Sequence, residues 1–570
     1  MKNIKKVIYT LLVIPVLFAC SKDFLDTKQK GALNEDNFYT SIDSIKLAVN
    51  GTYASLNNLA SGLNTMDVQY IVFGSITSDD AEAGGEVGGN DFQDIQDADR
   101  GTIVAAESKL LSDYFWAYNY KTILRANSTL NGIKNFRNAS LSAENLKTLN
   151  QFEGEMDFIL AFIHFKLVQV YGGVPIVDHI LSSSEYNVKR DSISRCLHFV
   201  EGLLTKASTL LPLRSQYPLT ELGRATKGSA QGLLARVYLY EASYAKNYPG
   251  DARFSGCTNT YSKALKYADS VINSHEYELV GINGETFDTY WNQKNSKIYP
   301  ALTPGYRYIF SADGRNSKEA VFETQANNDR QDYMLTRGTY LTVYMTCRNT
   351  SKGTLGWGFN CPSDSLLNAY TPGDPRIKVS IGKTGDSVYL TTGWATLDCQ
   401  QSPTNMIGRK FEASPAQYWN NKTTDGNGPN NFPYLRYADV ILIAAEAEIE
   451  TGQNISSGET PADLINMIRK RARNGAATGV PVDFTGTATL QDVIKERRLE
   501  LAMEGQRFFD LVRWKMQDRL TGIPLMNFRS GVRQTSPISC SFTSGKNDFI
   551  PIPQQEVINS NNNLVQYPGW

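Results

Sequence analysis

Thr226-Lys-Gly-Ser-Ala-Gln-Gly-Leu-Leu-Ala-Arg-Val-Tyr-Leu-Tyr-Glu-Ala-Ser-Tyr-Ala-Lys246, followed by Tyr261-Ser-Lys-Ala-Leu-Lys-Tyr-Ala268, decides the fold. In the first stretch Ala230, Leu233, Leu234, Val237 and Tyr238 recur at i, i+3, i+4, i+7 and i+8, the spacing of one helical face. In the second, Ala264, Leu265, Ala268, Val271 and Ile272 form a similar stripe. Small Ala residues on both faces let two helices approach closely, so the two stretches read as a packed helix pair.

Working outward, the same arrangement recurs less cleanly. Phe158 to Tyr171 pairs with Ile193 to Leu211, where Ile193, Leu197, Val200, Leu204, Ala207 and Leu211 share a face. Tyr437 to Ile449 pairs with Ala462 to Arg473, and Tyr114 to Ile133 pairs with the segment around Ile42 to Leu56. Gly172-Gly173 and Pro175 stop one helix, Pro212 another, and Thr451-Gly452 a third. These pairs resemble tetratricopeptide repeats, although insertions break the strict 34-residue period. One pair cannot bury its own apolar faces, so the pairs are expected to stack. The expected class is mainly α: helical parts over 36–280 and 431–520, a loop-rich lobe over 281–430, and an irregular 521–570. The lobe is rich in Gly, Asn, Thr, Trp and Tyr and has poor periodicity.

The chain has 570 residues, 41% apolar and 20% charged, which excludes a largely disordered protein. Its net charge of −1 argues against a general phosphate-backbone binder. Residues 1–19 read as a leader, with Lys2, Lys5 and Lys6 ahead of an apolar run too short to span a bilayer comfortably. The run ends Leu17-Phe18-Ala19-Cys20, like a bacterial lipobox, so Cys20 is the expected lipidation site and 20–35 a tether. The other six cysteines, Cys196, Cys257, Cys347, Cys361, Cys399 and Cys540, form no C-x-x-C, so a zinc knuckle or redox pair has no support.

Catalytic fingerprints are largely missing. His164, His179, His198 and His275 are scattered and form no H-E-x-x-H. Gly382-Lys383-Thr384 lacks the upstream Gly of a phosphate loop, where Ile377 stands instead. Asp97-Ala98-Asp99-Arg100-Gly101 does not fit an EF-hand register and leaves room only for a structural calcium of another kind. No other cofactor or metal is expected. The dense run Glu496-Arg497-Arg498-Leu499-Glu500-Leu501 to Arg507-Phe508-Phe509-Asp510-Leu511-Val512-Arg513-Trp514 reads as Arg forks pairing with carboxylates inside a helix junction.

That junction is one of several segments that resemble the SusD/RagB family of outer-membrane nutrient-binding lipoproteins of Bacteroidetes. The others include Phe24-Leu25-Asp26, Arg125-Ala126-Asn127, Tyr171-Gly172-Gly173-Val174-Pro175 and Ala225-Thr226-Lys227-Gly228. They continue with Leu435-Arg436-Tyr437-Ala438-Asp439-Val440, Ile550-Pro551-Ile552-Pro553 and Gln566-Tyr567-Pro568-Gly569-Trp570, in order along nearly the whole chain. The resemblance implies tetratricopeptide-like helix pairs forming a curved scaffold, with a looped lobe that carries the ligand site. It also implies a lipid-anchored, surface-exposed protein that binds oligosaccharide, caps a TonB-dependent outer-membrane β-barrel transporter, and is not an enzyme. The rival readings are the same fold binding peptides or another nutrient, a glycan-cleaving enzyme, and a protein-interaction scaffold.

Sugar rings stack their C–H faces on flat aromatic side chains, while their hydroxyls need polar partners. The expected ligand residues are therefore Trp291, Trp357 and Trp394 with Tyr290 and Tyr306 in the lobe, and Asp79, Asp80, Asn90, Asp91, Phe92 and Arg100 in the loop 74–102. Trp116 and Trp514 read as structural, and no residue is singled out as catalytic or metal-ligating.

Overall fold

The computed structural model describes residues 38–570 except 57–69, 86–91, 107–113, 139, 290–301, 327–337, 347, 352, 355, 391–392, 413–427 and 530–531. Side chains are described for all of these but 349–350, 353–354, 389–390, 393–394, 526–529 and 532–538. The expected leader, Cys20 and the expected tether lie outside the described residues.

The longer helices are α1 (Ile42–Ala54), α2 (Gln93–Arg100), α3 (Phe115–Phe136), α4 (Ala143–Tyr171), α5 (Ile193–Leu210), α6 (Lys227–Asn247), α7 (Tyr261–Ile272), α8 (Tyr437–Thr451), α9 (Pro461–Ala472), α10 (Leu490–Glu500) and α11 (Arg507–Arg513). Local chemistry sets their ends. The Thr226 hydroxyl accepts from Ser229 N–H at the start of α6, and Thr460 with Asp463 makes a capping box before Pro461 at the start of α9. Gly452 closes α8 in the left-handed region with φ 68°.

All four expected pairs pack: α1 on α3, α4 on α5, α6 on α7, and α8 on α9. The pairs then stack through α3–α4, α5–α6 and α7–α8 contacts. This buries the stripes that no pair could bury alone. The fold is mainly α, as the periodicity implied. Helix α4 is longer than the reading that began it at Phe158. Its first turns are mostly polar, with only Leu146, Leu149 and Phe152 spaced three apart, whereas every residue from Gly154 to Tyr171 is buried. A helix buried on all sides, with Glu155, Asp157, His164, Lys166 and Gln169 among its enclosed residues, sits within the stack.

Short strands join the lobe to the scaffold. Strands β1 (Ala81–Gly84) and β3 (Phe359–Pro362) pair antiparallel, with Ala81 opposite Pro362 and Gly84 opposite Phe359. Strand β2 (Ala320–Thr324) pairs with β6 (Phe432–Arg436), which feeds directly into α8. In the lobe, β4 (Ser387–Leu390) pairs with β5 (Gly393–Asp398).

The charge-rich run is the junction it was read to be. Arg497 reaches Asp439 at 2.5 Å and Asp510 at 3.2 Å, and Arg513 holds both oxygens of Glu446 at 2.5 and 2.8 Å. Around Glu500 the network widens to Arg471, Arg436 at 3.0 Å and Arg376 at 3.4 Å, with Glu319, Glu496 and Glu504 as further anions. Arg376, Arg471 and Glu500 are fully buried. Burial alone would raise the Glu500 carboxyl, but Arg471, Arg436, Arg376 and Lys410 hold it down at about 2. Burial drags Lys410 down to about 8 despite its 2.6 Å contact with Glu504. The junction also demands a glycine: a Cβ on Gly74 would lie 1.7 Å from the Gly505 carbonyl oxygen.

Candidate functional site

The loop after β1 and the lobe are drawn together by backbone. Gly85 N–H donates to Gly358 O at 2.9 Å, and a Cβ on Gly84, whose φ is 74°, would meet that same oxygen at 2.2 Å. Helix α2 is pinned beside this pair. The Asp99 carboxylate accepts from Ala83 N–H at 2.8 Å, and Gln96 donates to Gly84 O at 2.8 Å. Burial lifts the Asp99 carboxyl to about 7, against that hydrogen bond and Arg100. The acidic run at 94–99 is thus helical and internally engaged, with Asp97 accepting from Gln93 and Thr102.

This clamp brings Phe92 onto the lobe. Phe92 lies just ahead of α2 in the left-handed region, φ 51°, a conformation a bulky residue adopts only when its surroundings hold it there. Its ring centroid is 6.2 Å from Trp357 and 5.4 Å from Phe359. Tyr340 flanks Trp357 on another side, with centroids 6.0 Å apart. Phe92, Trp357 and Tyr340 are half-buried, backed by Phe359 and Tyr344, which stack with centroids 4.6 Å apart. Two residues expected from stretches more than 250 positions apart in sequence thus meet in one aromatic surface. Trp357 is further fixed by its N–H donating to Val343 O at 2.7 Å.

Three expected ligand residues are placed elsewhere, and the structure corrects them. Asp79 is held by Arg507 at 2.7 and 3.0 Å, and Asp80 by Arg498 at 2.6 Å. Burial raises Asp79, but Arg507 and Arg498 win and keep it below the usual carboxylate range; for Asp80, burial prevails and the carboxyl sits above it. Both side chains are buried, their oxygens engaged by arginine. Tyr306 is 3% exposed; its hydroxyl donates to Glu500 O at 2.9 Å and Arg471 lies over its ring. A residue with no surface offers nothing to a sugar, so all three belong to the junction.

Arg100 is half-buried at the C-terminal end of α2, 4.0 Å from Asp97. Trp394 stands in β5 opposite Tyr389. Asn90, Asp91, Tyr290 and Trp291 lie outside the described residues. Tyr340 was missed, although an aromatic in the irregular stretch carried the same signal as Trp357.

Two family models match the chain in tandem: one described as "Starch-binding associating with outer membrane" over residues 23–239, and the SusD family over residues 318–570. SusD-like protein P2 of Formosa agariphila is 25% identical over 99% of this chain and 99% of its own length. Starch-binding protein SusD of Bacteroides thetaiotaomicron is 23% identical over 74% of this chain and 73% of its own. Surface glycan-binding protein A from Bacteroides fluxus shares the fold at a TM-score of 0.71, with 21% identity over 93% of this chain and 100% of that one. The Bacteroides thetaiotaomicron protein of the same name, solved in complex with laminarihexaose, does so at 0.68, with 20% identity over 92% and 99%. With matches that run from the first described helices to the last residue, the chain belongs to the SusD/RagB family.

Proposed function

We propose that the protein binds oligosaccharide at the cell surface and passes it to a TonB-dependent β-barrel in the outer membrane. The observation that carries this reading is the meeting of Phe92 and Trp357 in a half-buried aromatic surface beside Tyr340. Flat rings exposed on one face offer stacking for sugar C–H groups. Asn90, Asp91, Arg100, Tyr290, Trp291 and Trp394 complete the site in this reading, the polar ones meeting hydroxyls. The relatives named for starch and glycan binding support the ligand class, and the family description "associating with outer membrane" supports the location.

Cys20 carries the lipid anchor. No helix among the described residues is long and apolar enough to cross a membrane, and a tethered binder cannot conduct a solute through hydrocarbon, so a partner barrel must accept it. The protein binds without cleaving, a reading supported by the names of the starch-binding and glycan-binding relatives.

Calorimetric titration of the purified protein with laminarihexaose and with starch oligosaccharides tests the ligand. Binding of one class, weakened by Trp357→Ala with the melting temperature nearly kept, is expected. A protein that ignores glycans but binds peptides, or one that releases new reducing ends, overturns it. Recovery of a barrel from detergent-solubilised membrane, and its loss with Cys20→Ser, tests the partner and the anchor.

A further inference from the structure

Away from the aromatic surface, α5 and α6 pack together, and their contact leaves two carboxylates facing each other. His198 and Glu201 are three residues apart on α5 and so share a helix face; Glu241 comes from α6. One nitrogen of His198 and one oxygen from each carboxylate all lie within 4.8 Å of one another. Glu241 is fully buried. Its Oε1 accepts from Thr258 N–H at 2.9 Å and from the Thr258 hydroxyl at 3.0 Å, and lies 3.2 Å from His198 Nε2. Its Oε2 is buried with no hydrogen-bond partner, and so is Oε1 of Glu201. The neighbouring ammonium of Lys263 lies over the Tyr238 ring, 4.9 Å from its centroid, the Tyr238 side chain hydrogen-bonds Glu201, and the Glu201 and Glu241 carboxyls meet each other directly. An unpaired buried carboxylate oxygen is costly, and two of them side by side repel.

We propose that His198, Glu201 and Glu241 bind a divalent first-row transition metal, with Zn2+ as the representative ion. Two ligand atoms about 2.1 Å from a tetrahedral ion lie about 3.4 Å apart, so the observed spread needs only side-chain adjustment. An imidazole with two carboxylates suits Zn2+ and its neighbours, whereas Ca2+ takes an all-oxygen set. The His198 side chain is 52% exposed, which gives the ion a route from solvent and leaves coordination positions for water. The Thr258 bonds hold Glu241 in place, as partners behind a metal ligand do. Bound there, the ion would tie α5 to α6 and stabilise the folded form by mass action.

The experiment uses full-length protein stripped with EDTA and titrated with Zn2+, read by calorimetry and thermal melting. One equivalent should bind and raise the melting temperature. His198→Ala and Glu201→Gln, at partly exposed positions, should keep the metal-free melting temperature. Each should weaken binding by more than the roughly 10–100-fold typical of an outer-shell partner. His179 sits on the surface between Asp178 and Glu185 and is the control for adventitious binding; His179→Ala should change nothing. Failure to bind one equivalent overturns the proposal, because a shared proton then fills the gap. So does binding that survives His198→Ala, or that is lost with His179→Ala. A Ca2+ response equal to that of Zn2+ and indifferent to His198→Ala also overturns it.

Discussion

The junction beneath α8, α10 and α11 and the aromatic surface beside β3 are built from overlapping residue types and use them in opposite ways. In the junction, Asp79, Asp80 and Tyr306 are enclosed, and every charge faces an opposite charge. At the surface, Phe92, Trp357 and Tyr340 keep part of each ring open. The difference teaches that an acid or an aromatic marks a binding site only when its partners leave it a free face. Arginine supply decides this for the acids: Arg498 and Arg507 reach back over more than 400 residues to claim the two aspartates.

The largest break comes at the centre of the junction. Glu500→Gln removes the anion shared by Arg376, Arg436 and Arg471, all of them buried. Breaking a buried pair from one side typically costs about 3–5 kcal/mol, because the remaining charge is stranded. Chemical denaturation should show a loss of that size or an insoluble protein. An unchanged unfolding midpoint would show that the network contributes little.

Acid attacks the scaffold at a different point. His164 is fully buried in α4; its Nε2 accepts from Val177 N–H at 3.4 Å, so Nδ1 carries the proton and donates to Leu160 O at 2.8 Å. Burial pulls its pKa from 6.5 down to about 4. The neutral form is the folded one, so this contribution is complete above the unfolded value of 6.5 and is lost as pH falls through about 4. The loss amounts to about 3 kcal/mol in all. Stability measured at about pH 7 and about pH 5 should differ less in His164→Gln than in the parent, and equal slopes would refute the assignment. The aromatic surface has no titrating ring in this range, so glycan affinity per folded molecule should hold over the same interval.

Asp79→Asn sharpens the comparison. It removes the negative charge and one of the two oxygens that accept from Arg507, and weakens the hold on Arg498 and Arg519. Leaving such donors unpaired should cost about 1–3 kcal/mol of stability. Folded variant should still bind glycan with parental affinity. A selective loss of affinity at unchanged stability would return Asp79 to the ligand site.

Most of the fold was legible because apolar stripes at helical spacing report burial directly. The four pairs and the arginine junction follow from Leu233, Leu234, Val237 and their counterparts, and from the Glu496–Trp514 run. The start of α4 was missed, since its mostly polar first turns bear only the sparse stripe of Leu146, Leu149 and Phe152. The aromatic surface proposed as the site was half legible. Composition pointed to Trp357 and Phe92, but nothing local to Asp79 or Tyr306 announces Arg507 or Glu500, whose approach is a long-range consequence of the fold. Lys410 and Arg376 escaped for the same reason: each lies in an irregular stretch, and the carboxylates of Glu504 and Glu496, distant in sequence, make them part of the core.

The smallest expected effect on stability is also the one that tests the surface. Trp357 is half-buried, and its described ring contacts are Phe92 and Tyr340, so Trp357→Ala should cost about 1 kcal/mol of folding stability, the scale of such aromatic pairs. If the ring is a sugar platform, its removal should cost about 1–3 kcal/mol of binding, or roughly ten- to a hundredfold in affinity. Phe92→Ala should do the same more weakly, because Phe92 supports Trp357 from one side. Trp514 supplies the contrast, since its indole N–H donates to Glu446 at 2.9 Å inside the junction. Trp514→Phe should lower the melting temperature and leave the affinity of the folded fraction unchanged. Titration and thermal melting of the three variants side by side decide the matter. Should Trp357→Ala destabilise as much as Trp514→Phe and bind as well as the parent, then the ring is part of the core and the ligand contacts lie elsewhere.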